Sequence, residues 1–212
     1  ISVLDLSSFD TSNVTNMSSM FYNCSSLTDV SIGLGVTTIG ASAFNQSHND
    51  SYGMNATTTT FDFYDAKAFK TDGSVEKVTN PDLSNLKSIG NYAMQGVKFD
   101  TLTLPSAITS LSARCFQAAK IGVLRIEGKF TTIESSAFNL SALPSAVYID
   151  MSSVTTVKES GFRFAGLGAT NTTTQWFDLN GNATLDISNL TTIGNQAFAS
   201  SNIGSATKIS WP

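Results

Sequence analysis

The sequence predicts a parallel solenoid of stacked repeats, mainly β, with a short parallel strand per coil and little regular helix. Three observations predict it: a phrase recurring at near-constant spacing, an alternating apolar segment between its copies, and a shortage of charge. The phrase is an apolar residue, usually Thr or Ser, a second apolar residue, then a short polar run ending in Ala-Phe. It reads VTTIGASAF, LKSIGNYAM, ITSLSARCF, FTTIESSAF, VTTVKESGF and LTTIGNQAF, with a variant VTNMSSMF near the start. The central anchors are Met17, Ile39, Ile89, Leu111, Ile133, Val157 and Ile193, spaced by 22, 50, 22, 22, 24 and 36 residues. Self-similarity at such a period marks a stack of repeats.

Between the phrases lie LDL at Leu4, VSI at Val30, LTL at Leu102, LRI at Leu124, IDM at Ile149, LDI at Leu185 and ISW at Ile209. Apolar residues two apart share one side of a strand, and the residue between them faces away. One such strand per repeat, always of the same polarity, implies a parallel sheet built by stacking coils. The Ala-Phe phrase turns the corner, and its anchors and Phe point inward. A single coil cannot bury its apolar side alone, so each Phe is expected to stack on the Phe of the next coil.

Stacking also accounts for the composition. Charged residues are 13% of the 212, against roughly 25% in an ordinary domain. Equivalent residues in adjacent coils lie about 4.8 Å apart, where like charges repel but Ser, Thr and Asn can hydrogen-bond. Thr37, Thr109, Thr131, Thr155 and Thr191 form one such column. Net charge is −4, which argues against a nucleic-acid partner and its clustered Lys and Arg. No apolar run approaches the ~20 residues that span a bilayer, so this segment is not expected to cross a membrane.

The IGxxAF phrase followed by a short LxL strand resembles the BspA-like leucine-rich repeat, the spirochaete-type variant of that superfamily. The opening LDLSSFDTSNVTNMSSMFYNCSSLTDVSI, Leu4 to Ile32, is similar to a related repeat of bacterial surface lipoproteins and wall-anchored proteins. The likeness covers nearly all the chain apart from two insertions. It implies a leucine-rich-repeat right-handed solenoid displayed extracellularly on a bacterial cell surface. It also implies host or matrix proteins, glycans or other bacteria as partners, and offers no catalytic residues to carry over. Met94 and Gly161 in the Ala-Phe element, and Cys115 at its Ala, depart from the pattern as core substitutions.

The whole chain, 1–212, is read as one solenoid with elaborated insertions at about 45–80 and 165–183. Each insertion carries an extra strand-like run, FDFY at Phe61 and WFDL at Trp176. Asn180-Gly181 between two alternating runs signals a hairpin. Neither end offers a polar cap, so a piece of a longer protein is expected.

No constellation of residues suggests an active centre, and no cofactor or metal is expected. Asp178, Asn180, Asn182, Thr184 and Asp186 alternate like a calcium loop. An EF-hand, however, needs Gly at its sixth position and an acid at its twelfth, where this segment has Gly181 fourth and Asn189 twelfth. A turn is the better reading. Cys24 and Cys115 fall three or four coils apart, ~14–19 Å and beyond the ~7 Å reach of a disulfide. Two free thiols are expected. The single histidine, His48, sits in a polar insertion.

The residues between the strand anchors supply the binding candidates. Asp5, Ser31, Thr103, Arg125, Asp150 and Asp186 are expected to share the exposed strand face. A glycan-cleaving solenoid would pair carboxylates on such a face, but no His or adjacent acid supports Asp150 or Asp186. The leading functional reading is a non-catalytic adhesion module recognising protein or glycan. A passive spacer in a larger surface protein is the alternative, and a glycan-active enzyme ranks third.

Overall fold

The computed structural model describes residues 3–5, 13–14, 16–24, 29–31, 37–45, 86–164 and 172–212. Along the chain come β1 (Val3–Asp5) and β2 (Asp29–Ser31), then β3 (Thr38–Ile39), β4 (Ser88–Ile89) and β5 (Lys98–Leu104). Next are β6 (Ser110–Leu111), β7 (Lys120–Ile126), β8 (Thr132–Ile133), β9 (Ala146–Ile149) and β10 (Thr156–Val157). β11 (Gln175–Phe177), β12 (Thr184–Asp186), β13 (Thr192–Ile193) and β14 (Lys208–Ser210) complete the series, with one 3-10 turn at Ile203–Ser205. Every strand pairing among these residues is parallel. The chain is a stacked solenoid, as the repeats require.

Two columns of strands rise through the stack. The corner column runs β3-β4-β6 and, higher up, β8-β10-β13. The main sheet runs β5-β7-β9-β11. Anchors meet in register: Ile39 with Ile89, Ile89 with Leu111, Ile133 with Val157, Val157 with Ile193. Ile39 and Ile89 are direct neighbours although 50 residues separate them in sequence. Loop-closure entropy grows only logarithmically with length, so a long insertion disturbs the register of a stack little. Residues 46–85, which contain FDFY and His48, lie outside the described residues.

The Phe column forms as expected. Phe116 stacks on Phe138 at 5.5 Å, Phe138 on Phe162 at 5.3 Å and Phe162 on Phe198 at 5.7 Å between ring centroids. Phe21 stacks on Phe44 at 5.0 Å, and buried Met94 fills the position between Phe44 and Phe116. Cys115 and Gly161 occupy the small-residue column just before the ring. A Cβ on Gly161 would lie 2.8 Å from Val157 Cγ1, so this coil has no room for the usual Ala without movement. Cys24 and Cys115 are both free thiols, and burial pushes the Cys115 thiol well up from its ordinary pKa.

The corner depends on a left-handed residue that is never glycine. Ser42, Tyr92, Arg114, Ser136, Ser160 and Gln196 all have φ between 54° and 60°. Such a conformation is unusual for a side-chain-bearing residue, and the stack compensates it with hydrogen bonds between coils. The N–H of Ser136 donates to Glu159 O at 2.9 Å, and the N–H of Phe138 donates to Gly161 O at 2.9 Å. The next coil repeats the pattern from Ser160 to Asn195 O and from Phe162 to Ala197 O. Gly90 serves close approach instead: its Cβ would meet Ala41 N at 2.6 Å.

The polar columns satisfy one another along the stack. Thr155 Oγ1 donates to Thr131 O at 3.2 Å, and Thr191 Oγ1 to Thr155 O at 3.1 Å. Just past the anchors, Lys158 Nζ lies 2.8 Å from Glu134 Oε2. The one place where charge is stacked on charge carries opposite signs among the described corners.

Two register expectations need correction. Tyr148, not Asp150, pairs with Arg125, because Val147 and Ile149 are the inward pair of β9 and Asp150 falls beyond its end. Trp176 pairs with Val147 and is fully buried, so WFDL supplies the next rung of the main sheet. The Asn180-Gly181 turn forms, with Gly181 at φ 86°. Its flanking strands do not make a hairpin, since β11 joins β9 while β12 pairs only with β14.

Replacing Phe138 with Ala removes an interior ring of a four-ring stack, and should lower unfolding stability by about 3–5 kcal/mol. Chemical denaturation measures it; a loss under about 1 kcal/mol, the size of an ordinary surface change, would contradict the stacking account.

Candidate functional site

Strand alternation turns Leu102, Leu124, Val147 and Trp176 inward, all with no measurable exposure. Their neighbours Thr103, Arg125, Tyr148 and Phe177 therefore face outward, and the ladder places them side by side in consecutive rungs. In-register stacking thus turns one residue per coil into a continuous row.

The row is held together by its own contacts. The Arg125 guanidinium lies over the Tyr148 ring at 5.7 Å, and Tyr148 stacks on Phe177 at 5.0 Å. Arg125 Nε donates to Glu127 Oε1 at 2.7 Å, and Nη2 donates to Leu179 O at 3.1 Å. The guanidinium is thereby fixed at two edges while its side chain remains 34% exposed. A pre-organised Arg beside two stacked rings offers a flat, partly apolar surface with one cation and one carboxylate. Such a surface suits non-covalent recognition, and the cation–aromatic contact is worth about 0.5–1 kcal/mol at an exposed site.

Beside the row stands the Asp178 turn. Asp178 Oδ1 accepts the N–H groups of Asn180 and Asn182, both at 2.9 Å. Oδ2 accepts Asn182 Nδ2 at 2.8 Å and Thr184 Oγ1 at 3.2 Å. The Asn182 side chain foremost, then its backbone N–H, holds the Asp178 pKa below its ordinary 3.8. The alternating Asp/Asn run is thus a self-satisfied turn in which the carboxylate meets backbone and amide donors. Among the described residues, no group of three His, Cys, Asp or Glu side chains is placed to hold a metal ion.

The six residues predicted for the exposed face do not form one row. Thr103 and Arg125 are paired, as expected. Asp5 pairs with Ser31 between β1 and β2, a separate two-stranded sheet whose side chains lie outside the described residues. Asp186 pairs with Ser210 in the β12-β14 sheet. Asp150 and Asp186 do the same local work: each accepts the backbone N–H two residues on, from Ser152 at 2.9 Å and from Ser188 at 3.0 Å. The Ser188 hydroxyl is the main cause holding Asp186 below the ordinary carboxylate pKa. Tyr148 and Phe177 are the members that sequence reasoning missed. Their signal was present, since AVYI and QWF also alternate, but the choice of IDM as the dyad placed β9 out of register.

The family model of the BspA type leucine rich repeat region matches residues 3–65 and 62–183, in six copies. No curated protein and no solved structure matches the chain.

Asp178 is hydrogen-bonded only when ionised in this way, so its lowered pKa stabilises the fold above its unfolded pKa. That contribution is lost as pH falls through the folded value. Asp178→Ala should flatten the acid limb of thermal stability measured across a pH series from neutral to below 3.8. An acid limb as steep as the parent's would refute the assignment.

Proposed function

The chain belongs to the BspA-type leucine-rich repeat family, and on that premise we propose that it is a non-catalytic adhesion module of a bacterial cell surface. Repeats of this family generally mediate interactions, are generally found on bacterial surfaces and are typically non-catalytic. No helix among the described residues is long and apolar enough to cross a membrane. The observation that carries the reading is the outward row of Thr103, Arg125, Tyr148 and Phe177. It joins the residue types that dominate binding hot spots, Arg and Tyr, on a rigid sheet that needs no ordering when a ligand arrives. The proposed partner is a host or matrix protein, a glycan or another bacterial surface.

The passive-spacer alternative and the enzyme reading meet the same residues differently. A spacer needs no organised outward row. A carboxylate-dependent enzyme needs a free acid pair, whereas Asp150 and Asp186 each cap a local turn.

The test is binding of the immobilised chain to a panel of matrix proteins and a glycan array. Tyr148→Ala should weaken the interaction found by about 2 kcal/mol, roughly 30-fold, with thermal stability monitored in parallel. Arg125→Ala should weaken it in the same direction. Binding that survives both changes would move the site off this face, and no binding anywhere on either panel would favour the spacer. Polysaccharide turnover lost in Asp150→Asn or Asp186→Asn would establish the enzyme instead.

A further inference from the structure

The Arg125 guanidinium has an anchor that the strand ladder does not supply. Arg125 stands on β7, and the row continues through Tyr148 on β9 to Phe177 on β11. Its Nη2 nevertheless donates to the carbonyl of Leu179, 54 residues away in sequence. That reach crosses two rungs, about 10 Å between backbones. Backbone carbonyls of a paired strand lie in the plane of the sheet and serve its neighbours. A carbonyl that serves a side chain on the outward face has to leave the ladder first, and β11 ends at Phe177.

Asp178 directs that departure. Its N–H donates to Asn182 O at 2.8 Å, and the N–H of Gly181 donates to Asp178 O at 3.0 Å. The backbone thus closes a turn around Leu179 and Asn180, and the Asp178 carboxylate accepts four donors of the same turn. One of them, the N–H of Asn180 at 2.9 Å, shares a peptide plane with the Leu179 carbonyl. The peptide is trans, so its N–H and C=O point in opposite directions from one rigid plane. A carboxylate that takes the N–H therefore aims the carbonyl away from itself, and Arg125 Nη2 stands there at 3.1 Å. Asp178, one peptide unit and Arg125 form a hydrogen-bonded chain from anion to cation, in which each bond polarises the next.

The other edge of the guanidinium holds it less firmly. Nε donates to Glu127 Oε1 at 2.7 Å, but the two side chains are 34% and 37% exposed. An exposed ion pair alone fixes flexible side chains weakly.

We propose that Asp178 is the positioning residue of the outward row: through the Leu179–Asn180 peptide it sets where the Arg125 guanidinium stands over Tyr148. The inference rests on the proposed role of that face in recognition. Asp178 acts on a partner only through Arg125, because its own carboxylate is spent on the donors of the turn.

Nuclear magnetic resonance of the arginine side chains in the free chain tests the geometry. The arginines are Arg114, Arg125 and Arg163, and the signals lost in Arg125→Lys identify Arg125. The ring current of Tyr148 displaces those signals. Asp178→Ala should move them to the values of a free guanidinium and speed the exchange of its N–H hydrogens. Asp178→Asn, which keeps an oxygen for the Asn180 N–H, should fall between. Arg114, over the Tyr92 ring at 5.5 Å, should not respond, whereas a general loosening of the fold would move both. Arg125 signals unchanged in Asp178→Ala overturn the proposal, as does a change shared equally by Arg114. If Asp178→Ala does not fold, Asp178→Asn decides by the same two criteria.

The matrix-protein panel and glycan array supply the second readout. Asp178→Ala should weaken the binding that Arg125→Ala weakens by about 3- to 10-fold, the worth of one hydrogen bond. It should cost nothing further in the Arg125→Ala background, and equal losses in both backgrounds overturn the proposal. Panels on which nothing binds remove the recognition role itself, and the Arg125 signals then still decide the positioning.

Discussion

The repetition of the same residue at the same height in successive coils governs this molecule. Parallel rungs bring equivalent side chains to about 4.8 Å from one another, so each column must tolerate its own kind as a neighbour. Phe tolerates Phe by stacking, as from Phe116 through Phe138 and Phe162 to Phe198. Thr tolerates Thr by bonding its hydroxyl to the previous coil's carbonyl. At the corner, Lys158 meets the opposite charge of Glu134, and the one like-charged rung, Lys98 beside Lys120, falls at the start of β5 and β7. The low charge content and the abundance of Ser, Thr and Asn follow from that single condition.

The same condition shapes the outward face. The extended surfaces that repeat proteins use for binding cross several coils, one residue per coil forming a row. Arg125, Tyr148 and Phe177 make such a row because the register aligns them, and contacts with Tyr148, Glu127 and Leu179 fix the guanidinium. The carboxylates behave oppositely: Asp150, Asp178 and Asp186 are turned to nearby backbone donors. These three aspartates shape turns, whereas the aromatic row stays on the outward face.

Much of this was legible in the sequence. The anchors from Met17 to Ile193 predicted a parallel stack, and the Phe column, the Thr column and the two free thiols followed from spacing alone, because periodicity is a local property of the chain. The left-handed corner residue was not legible: positive φ sits on Ser42, Tyr92, Arg114, Ser136, Ser160 and Gln196, which share no side-chain type. No residue type marks that site, since hydrogen bonds between coils stabilise it. The outward row was half legible. Thr103 and Arg125 could be placed from their strands, but IDM and VYI alternate equally well, and only the ladder to β7 chose Tyr148 over Asp150. Likewise only packing against Val147, Phe162 and Phe164 made Trp176 a core rung. Sequence period alone determined that coils stack; which residue of each coil faces its neighbour was decided by contacts between segments far apart in the chain.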